Sequence, residues 1–197
     1  MEQKLTYYFL KDPAVRVRLL AWRKSIDEKP GERAKLRRAE TPDDVLLSEA
    51  FFNFLQQMPD TWSESAHMPV SALLAAVLAH ANAHEVNQYE TTSFAAQLAA
   101  SKDGGDKPRM SELRFQQLQK SHDPAEFCRR LVRAVKMLDR NVNIFSLAND
   151  ILHWTYEYRN GADRNPQKRL AFCWAIDYYR ALPKKQSKSD SKGGTTL

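Results

Sequence analysis

Basic side chains recur at helical spacing in one segment of the sequence, residues 125–140. They belong to Arg129, Arg133, Lys136 and Arg140, which follow one another at intervals of four, three and four residues. At about 100° per residue, these intervals place all four on one narrow stripe of a helix. Like charges at such spacing repel each other, so the stripe is easiest to explain if an anion binds there. The alternative is a solvated charged face with no ligand.

Two further basic clusters extend this pattern. The first has four cations within six residues: Arg33, Lys35, Arg37 and Arg38. The second lies at the start of the last expected helix, where free backbone amides also favour anions, and it contains Lys168 and Arg169. The remaining candidates are Arg114, Lys120 and Arg130. No base-reading motif accompanies these cations, so they predict binding to a nucleic-acid backbone without sequence preference.

Charge is divided unevenly along the chain. The 197 residues include 30 Lys and Arg against 24 Asp and Glu, for a net charge of +6. Residues 39–101 contain eight acidic residues and no Lys or Arg, so the rest of the chain carries +14. This separation predicts one surface suited to a polyanion and another that faces protein neighbours or solvent.

Residues suited to catalysis are sparse. His80 and His84 are four residues apart and could face one metal ion from a helix, but they do not form an HExxH motif and no third ligand is evident. Cys128 and Cys173 lie in apolar stretches, as buried thiols do. We therefore expect no metal, no other cofactor and no enzyme activity. A metal-dependent hydrolase that uses His80 and His84 is kept as an alternative.

Helical patterns separated by proline and glycine account for most of the chain. Asp123-Pro124 and Thr41-Pro42 each combine an N-cap residue with a proline at the first helical position. No segment has a convincing strand pattern. We expect an all-α fold of two small helical bundles joined by a short linker. The expected parts are an N-terminal domain (1–101), the linker (102–108), a C-terminal bundle (109–183) and a disordered tail (184–197).

The sequence also predicts where the protein works. No apolar run approaches the ~18 residues that a membrane span needs, and the first residues lack the layout of a signal peptide. The chain has only two cysteines, which suits a reducing compartment. We therefore expect a cytoplasmic protein without a membrane partner.

Several motifs occur in a recognisable order. The first half contains GERAKLRRA (31–39), TPDDVL (41–46) and AFF (50–52). The second half contains SELRF (111–115), FCRRLV (127–132), LHW (152–154) and AIDYY (175–179). In order and spacing, residues 13–182 resemble the CasB family, the small subunit of the type I-E CRISPR Cascade complex.

The resemblance implies a non-catalytic helical subunit that stabilises the R-loop between guide RNA and target DNA, including the displaced strand. The implied partners are the guide crRNA, the target and displaced DNA strands, CasC backbone subunits, the large subunit CasA and a second CasB copy. The best-matched contact positions are Arg37, Arg38, Arg114, Lys120, Arg129 and Arg130. Lys168 and Arg169 match less closely, because residues 160–165 look like an insertion. The other alternative is a free-standing helical regulator that binds nucleic acid.

Overall fold

Short polar side chains and prolines begin most of the helices. Asp123 accepts a hydrogen bond from the Glu126 amide at 2.8 Å, and Pro124 follows it. Thr41 and Asp44 form a capping box, in which each side chain binds the other residue's backbone amide. These contacts satisfy amides that lack a partner in the first turn. The start signals expected from the sequence at these positions are confirmed.

The computed structural model describes residues 5–82, 91–102 and 104–183. The α-helices in these ranges are α1 (Pro13–Ser25), α2 (Pro30–Arg38), α3 (Pro42–Leu46), α4 (Glu49–Leu55), α5 (Met68–Leu78), α6 (Phe94–Ala99), α7 (Glu112–Gln119), α8 (Pro124–Met137), α9 (Ile144–Asn160) and α10 (Leu170–Ala181). These ranges contain no strand, so the all-α prediction is confirmed. None of these helices is long and apolar enough to cross a membrane. The tail expected to be disordered, 184–197, lies outside the described residues.

Helix α5 forms the centre of the core. Every residue of the segment 70–78 is buried, and α5 contacts α2, α3, α4, α8 and α9. A helix that is apolar on all sides must be covered on all sides. As a result, the residues that follow it, 79–82, emerge between α2 and the end of α8.

Hydrogen bonds beside the expected linker show that the chain turns back on itself there. The Arg109 amide donates to the Ala100 carbonyl at 3.0 Å, and the Met110 amide donates to the Leu98 carbonyl at 2.9 Å. Helices on either side of this turn pack together: the rings of Phe94 in α6 and Trp174 in α10 lie 6.0 Å apart. The division into two bundles at this turn stays a prediction.

A buried carboxyl group lies between α9 and α10. Asp150 accepts a hydrogen bond from the Trp174 indole at 2.8 Å. Burial raises the pKa of Asp150 to about 7, although the Trp174 and Asn149 bonds oppose this effect and Asp177 adds to it. The folded state therefore holds a proton that the unfolded state releases, and stability falls as pH rises from about 4 to about 7.

We expect Asp150→Asn to stabilise the protein at pH 8 by roughly 2–4 kcal/mol and to change little near pH 4. Asparagine keeps the acceptor for the Trp174 indole and removes the buried charge. Thermal melts of both proteins across pH 4–8 measure the difference. Asp150→Ala is the control, because it also removes the acceptor and should gain less. Equal stability of Asp150→Asn and wild type at pH 8 would contradict the prediction.

Candidate nucleic-acid interface

Helix α8 separates its apolar and basic residues cleanly. Phe127, Leu131 and Val135 are fully buried. Three cations on the opposite face are exposed: Arg129, Arg133 and Lys136. Because α8 packs its apolar face onto the core, these three side chains extend into solvent, and none has a hydrogen bond or ion pair in the described part of the chain.

The expected helix is shorter than the sequence suggested. The basic stripe predicts a helix that reaches Arg140, but α8 ends at Met137. Asp139 and Arg140 have φ values of 51° and 67°. Their amides bond to the Lys136 carbonyl at 3.1 Å and the Val135 carbonyl at 3.0 Å, which is a Schellman motif. The prediction that Arg140 continues the helical stripe is therefore wrong. The helix ends through residues other than glycine, which give no stop signal in the sequence.

The turn after α8 brings Arg140 to the end of α5. The Asn82 amide donates to the Arg140 carbonyl at 2.8 Å, and the Asn82 side chain donates to the Asn141 side chain at 2.8 Å. On the other side, the Arg33 side chain donates to the carbonyls of Ala79 and Ala81 at 3.0 and 3.1 Å. The segment 79–82 is thus held between α2 and the turn after α8, with His80 at its middle.

An inner pair of arginines stabilises this junction. Arg23 is fully buried and donates to the Ala81 carbonyl and, at 2.8 Å, to Asp27. Arg33 binds the same Asp27 oxygen at 2.7 Å. Cations are favoured at the carboxyl end of a helix, where backbone carbonyls lack partners. Arg33, predicted from the sequence to bind nucleic acid, is therefore occupied by contacts within the fold.

The charges of three further cations act on His80, and these cations form an outer group: Arg37, Lys136 and Arg140. Arg37 lies one turn after Arg33 on α2, and Lys136 and Arg140 belong to the end of α8 and the turn that bonds to Asn82. The pKa of His80 is lowered to about 4, mainly by burial and then by the charges of Arg37, Lys136, Arg140 and Arg33. The pKa of Arg37 is also lowered, by burial and then by Arg140 and Arg33. Cations from α2 and from the end of α8 therefore act on one another across the end of α5.

The acidic residues nearest to α8 do not neutralise this group. Glu126 pairs with Arg130 at 2.7 Å. Asp139 pairs with Arg109 at 2.9 Å and with Lys102 at 3.5 Å, and the hydrogen bond from Arg109 is the main reason that the pKa of Asp139 is lowered. Within the described ranges, no ion pair involves Arg37, Lys136 or Arg140. The outer group is therefore uncompensated positive charge.

A groove between α7 and α8 adjoins this surface. It has a volume of about 340 Å³, and its lining includes Arg114, Arg130 and Arg133. Arg130 also donates to the Gln117 carbonyl and to Ser121, so it fastens α8 to the end of α7. Arg114 and Arg133 remain free of ion pairs within the described residues. The groove thus offers two available cations and one that is already bound.

The other predicted site residues are dispersed. Lys35 pairs with Glu49 at 3.7 Å, whereas Arg38 and Lys120 are exposed. Arg169 donates to the Asp163 carbonyl at 2.8 Å. Arg169 is the N-cap of α10, so it stands at the start of the last helix as predicted. Lys168 does not, because Asn165 caps a separate 3-10 turn, Pro166–Lys168, before that helix.

The sequence offers a metal site at His80 and His84 as an alternative. The described residues contain no group of three or more His, Cys, Asp or Glu that could hold a metal ion. His84 lies outside the described residues, so the His80–His84 pair stays an untested alternative. The sequence suggests a metal ligand or an ordinary histidine on a polar helix face at position 80, and it does not predict the burial of His80 near the cations. No local signal reveals this, because the cations come from distant parts of the chain.

Comparison with known proteins gives a family. Searches of curated proteins and of solved structures found no match. Residues 32–179 match the family described as CRISPR-associated protein Cse2. The matched range includes the basic helix α8, most of α2 and the end of α5. Since this match covers most of the chain and agrees with the resemblance to CasB, the protein belongs to the Cse2 family.

Proposed function

We propose that the chain is a non-catalytic Cascade subunit whose basic surface holds nucleic-acid backbone and stabilises the R-loop. The assignment to a Cascade complex follows from the family, because Cse2 membership indicates a subunit of a CRISPR Cascade complex. Base pairing between guide and target reads sequence in such complexes, so the protein needs to bind only backbone and shape. The partners we propose are the crRNA, both DNA strands, CasC, CasA and a second copy of this subunit.

One observation carries the nucleic-acid part of the proposal. Exposed cations of α8 continue into Arg140 and Arg37, and no described acidic side chain offsets them. Phosphates that bind there would release their counterions, which favours association at low salt. The surface has no arrangement that distinguishes one base from another, so we assign it to backbone contacts.

We expect the isolated chain to bind unrelated DNA and RNA oligonucleotides with similar affinity. With three to five phosphate contacts, raising the salt concentration from 50 to 200 mM should weaken duplex binding roughly 40- to 500-fold. Fluorescence anisotropy with several sequences at each salt concentration measures this. A flat salt response, or a strong preference for one sequence, would contradict the proposal.

Affinity purification separates the Cascade subunit from a free-standing regulator. The full chain should co-purify with several larger proteins and a short RNA if it works within Cascade. Recovery of the chain alone, with nucleic-acid binding intact, would favour the regulator instead.

A further inference from the structure

The outer group of cations is not explained by the needs of the fold. Arg23 and Arg33 share Asp27 and bind the carbonyls that end α5, so the inner pair has partners. Arg37, Lys136 and Arg140 act on the same buried histidine without an acidic partner in the described part of the chain. Bringing like charges together costs free energy. A bound anion would reverse that cost.

His80 adds a polar atom that also lacks a partner. The residue is 6% exposed, and its Nδ1 is buried without a hydrogen bond. Within the described ranges no group bonds to Nε2 either, which leaves Nε2 as the ring nitrogen that can reach a ligand. Buried polar groups without partners are uncommon. An imidazole at this position can donate one hydrogen bond to an oxygen atom while it remains neutral.

We propose that His80, Arg37, Lys136 and Arg140 form a site for a single phosphate group. The three cations surround the anion, and the imidazole donates a hydrogen bond from Nε2 to one phosphate oxygen. The assignment of this phosphate to a nucleic-acid backbone rests on the proposed function. The same chemistry suits a phosphodiester of that backbone and a free phosphate ion.

A bound phosphate should change the titration of His80. The charges that act on the ring are those of Arg33 and Arg37 from α2 and of Lys136 and Arg140 from the α8 end. Of these, only Arg33 has an acidic partner within the described ranges, because it shares Asp27 with Arg23. In the free protein these charges and burial hold the pKa of His80 at about 4. A negative charge beside the ring favours its protonated form. Binding should therefore raise the pKa of His80, by about one pH unit or more.

Nuclear magnetic resonance of the full chain tests this directly. The imidazole signal of His80 is assigned from its loss in His80→Gln and followed across pH 3–8. The titration is repeated with inorganic phosphate and with a short single-stranded oligonucleotide. A raised pKa with phosphate alone supports a site that also takes the free ion, whereas a raised pKa with the oligonucleotide only supports a site specific to the backbone. No change with either ligand would overturn the proposal.

Matched variants tie the shift to the cations. Arg140→Gln should raise the pKa of His80 in the free protein and abolish the further rise with ligand. Arg38→Gln, next to Arg37 on α2 but not among the charges that act on His80, should leave both values unchanged. Identical behaviour of these two variants would overturn the proposal.

Binding measurements separate this site from the function on which it rests. His80→Leu should weaken oligonucleotide binding about tenfold, and His80→Gln, which keeps an N–H donor, should restore most of it. If the chain binds oligonucleotides with the expected salt dependence and His80→Leu binds as tightly as wild type, the phosphate site is wrong while the proposed function stands. If the wild-type chain does not bind oligonucleotides but phosphate still shifts His80, the function is wrong while the anion site stands.

Discussion

Replacing Arg129 and Arg133 together with alanine should shorten the lifetime of R-loops in reconstituted Cascade by about 10- to 100-fold. Both side chains are exposed on the basic face of α8, opposite the buried Phe127 and Leu131. A hydrogen bond to a charged group contributes about 1.5–3 kcal/mol, and each 1.4 kcal/mol is tenfold in an equilibrium, so this range corresponds to the loss of one such phosphate contact from the pair. R-loop lifetimes are measured after the complex is rebuilt with the variant.

The same variant should fold normally. Surface substitutions away from special features usually change the free energy of unfolding by within about 0.5 kcal/mol, and relief of repulsion along α8 works in the opposite direction. Leu131→Ala is the reverse control: it should cost ~2–5 kcal/mol through a core cavity and leave the basic face in place. R-loops of normal lifetime would contradict the nucleic-acid role of the two arginines. A melting temperature far below that of wild type would show that they have a structural role instead.

Loss of Arg23 should destabilise the fold strongly. Arg23 is fully buried and connects Asp27 to the end of α5. Removing one partner of a buried ion pair costs about 3–5 kcal/mol, because the remaining groups lose their compensation. We expect this loss in Arg23→Met, which keeps much of the side-chain volume, when unfolding is followed in denaturant. Arg38→Ala, on the exposed side of α2, is the control and should change the free energy of unfolding little. Equal midpoints for Arg23→Met and wild type would contradict the structural role of the inner pair.

The sequence predicts the starts of the helices well, because the residues that begin a helix lie next to one another in the chain. Asp123 and Thr41 each cap a helix as the sequence suggests, since an N-cap depends only on residues within one turn. Helix ends were harder. The Schellman motif after α8 uses Asp139 and Arg140 at positive φ, where glycine is usual, so its sequence carries no clear stop signal.

Which cations are free could not be read from the sequence. Arg33 and Arg130 look like any other basic residue in the chain, yet the contacts of Arg33 lie on neighbouring elements. Arg130 has a pair one turn away on α8, with Glu126, but it also binds the Gln117 carbonyl of α7. Those partners lie 6 to 48 residues from Arg33 and 4 to 13 residues from Arg130. The convergence of Arg37, Lys136 and Arg140 on His80 likewise depends on how α2, α5 and α8 pack. Helical periodicity describes one helix at a time and does not predict contacts between side chains on different helices.

Site-specific crosslinking within assembled Cascade tests the central claim most directly. A photoreactive phenylalanine analogue is placed at position 133, on the basic face, or at position 49, within the stretch that lacks Lys and Arg. Arg133 and Glu49 are both exposed, so either position accepts the analogue without disturbing the core. We expect irradiation with bound target to link position 133 to nucleic acid and position 49 to protein or to nothing. Nucleic-acid crosslinks from position 49 and none from position 133 would contradict the assignment of this surface.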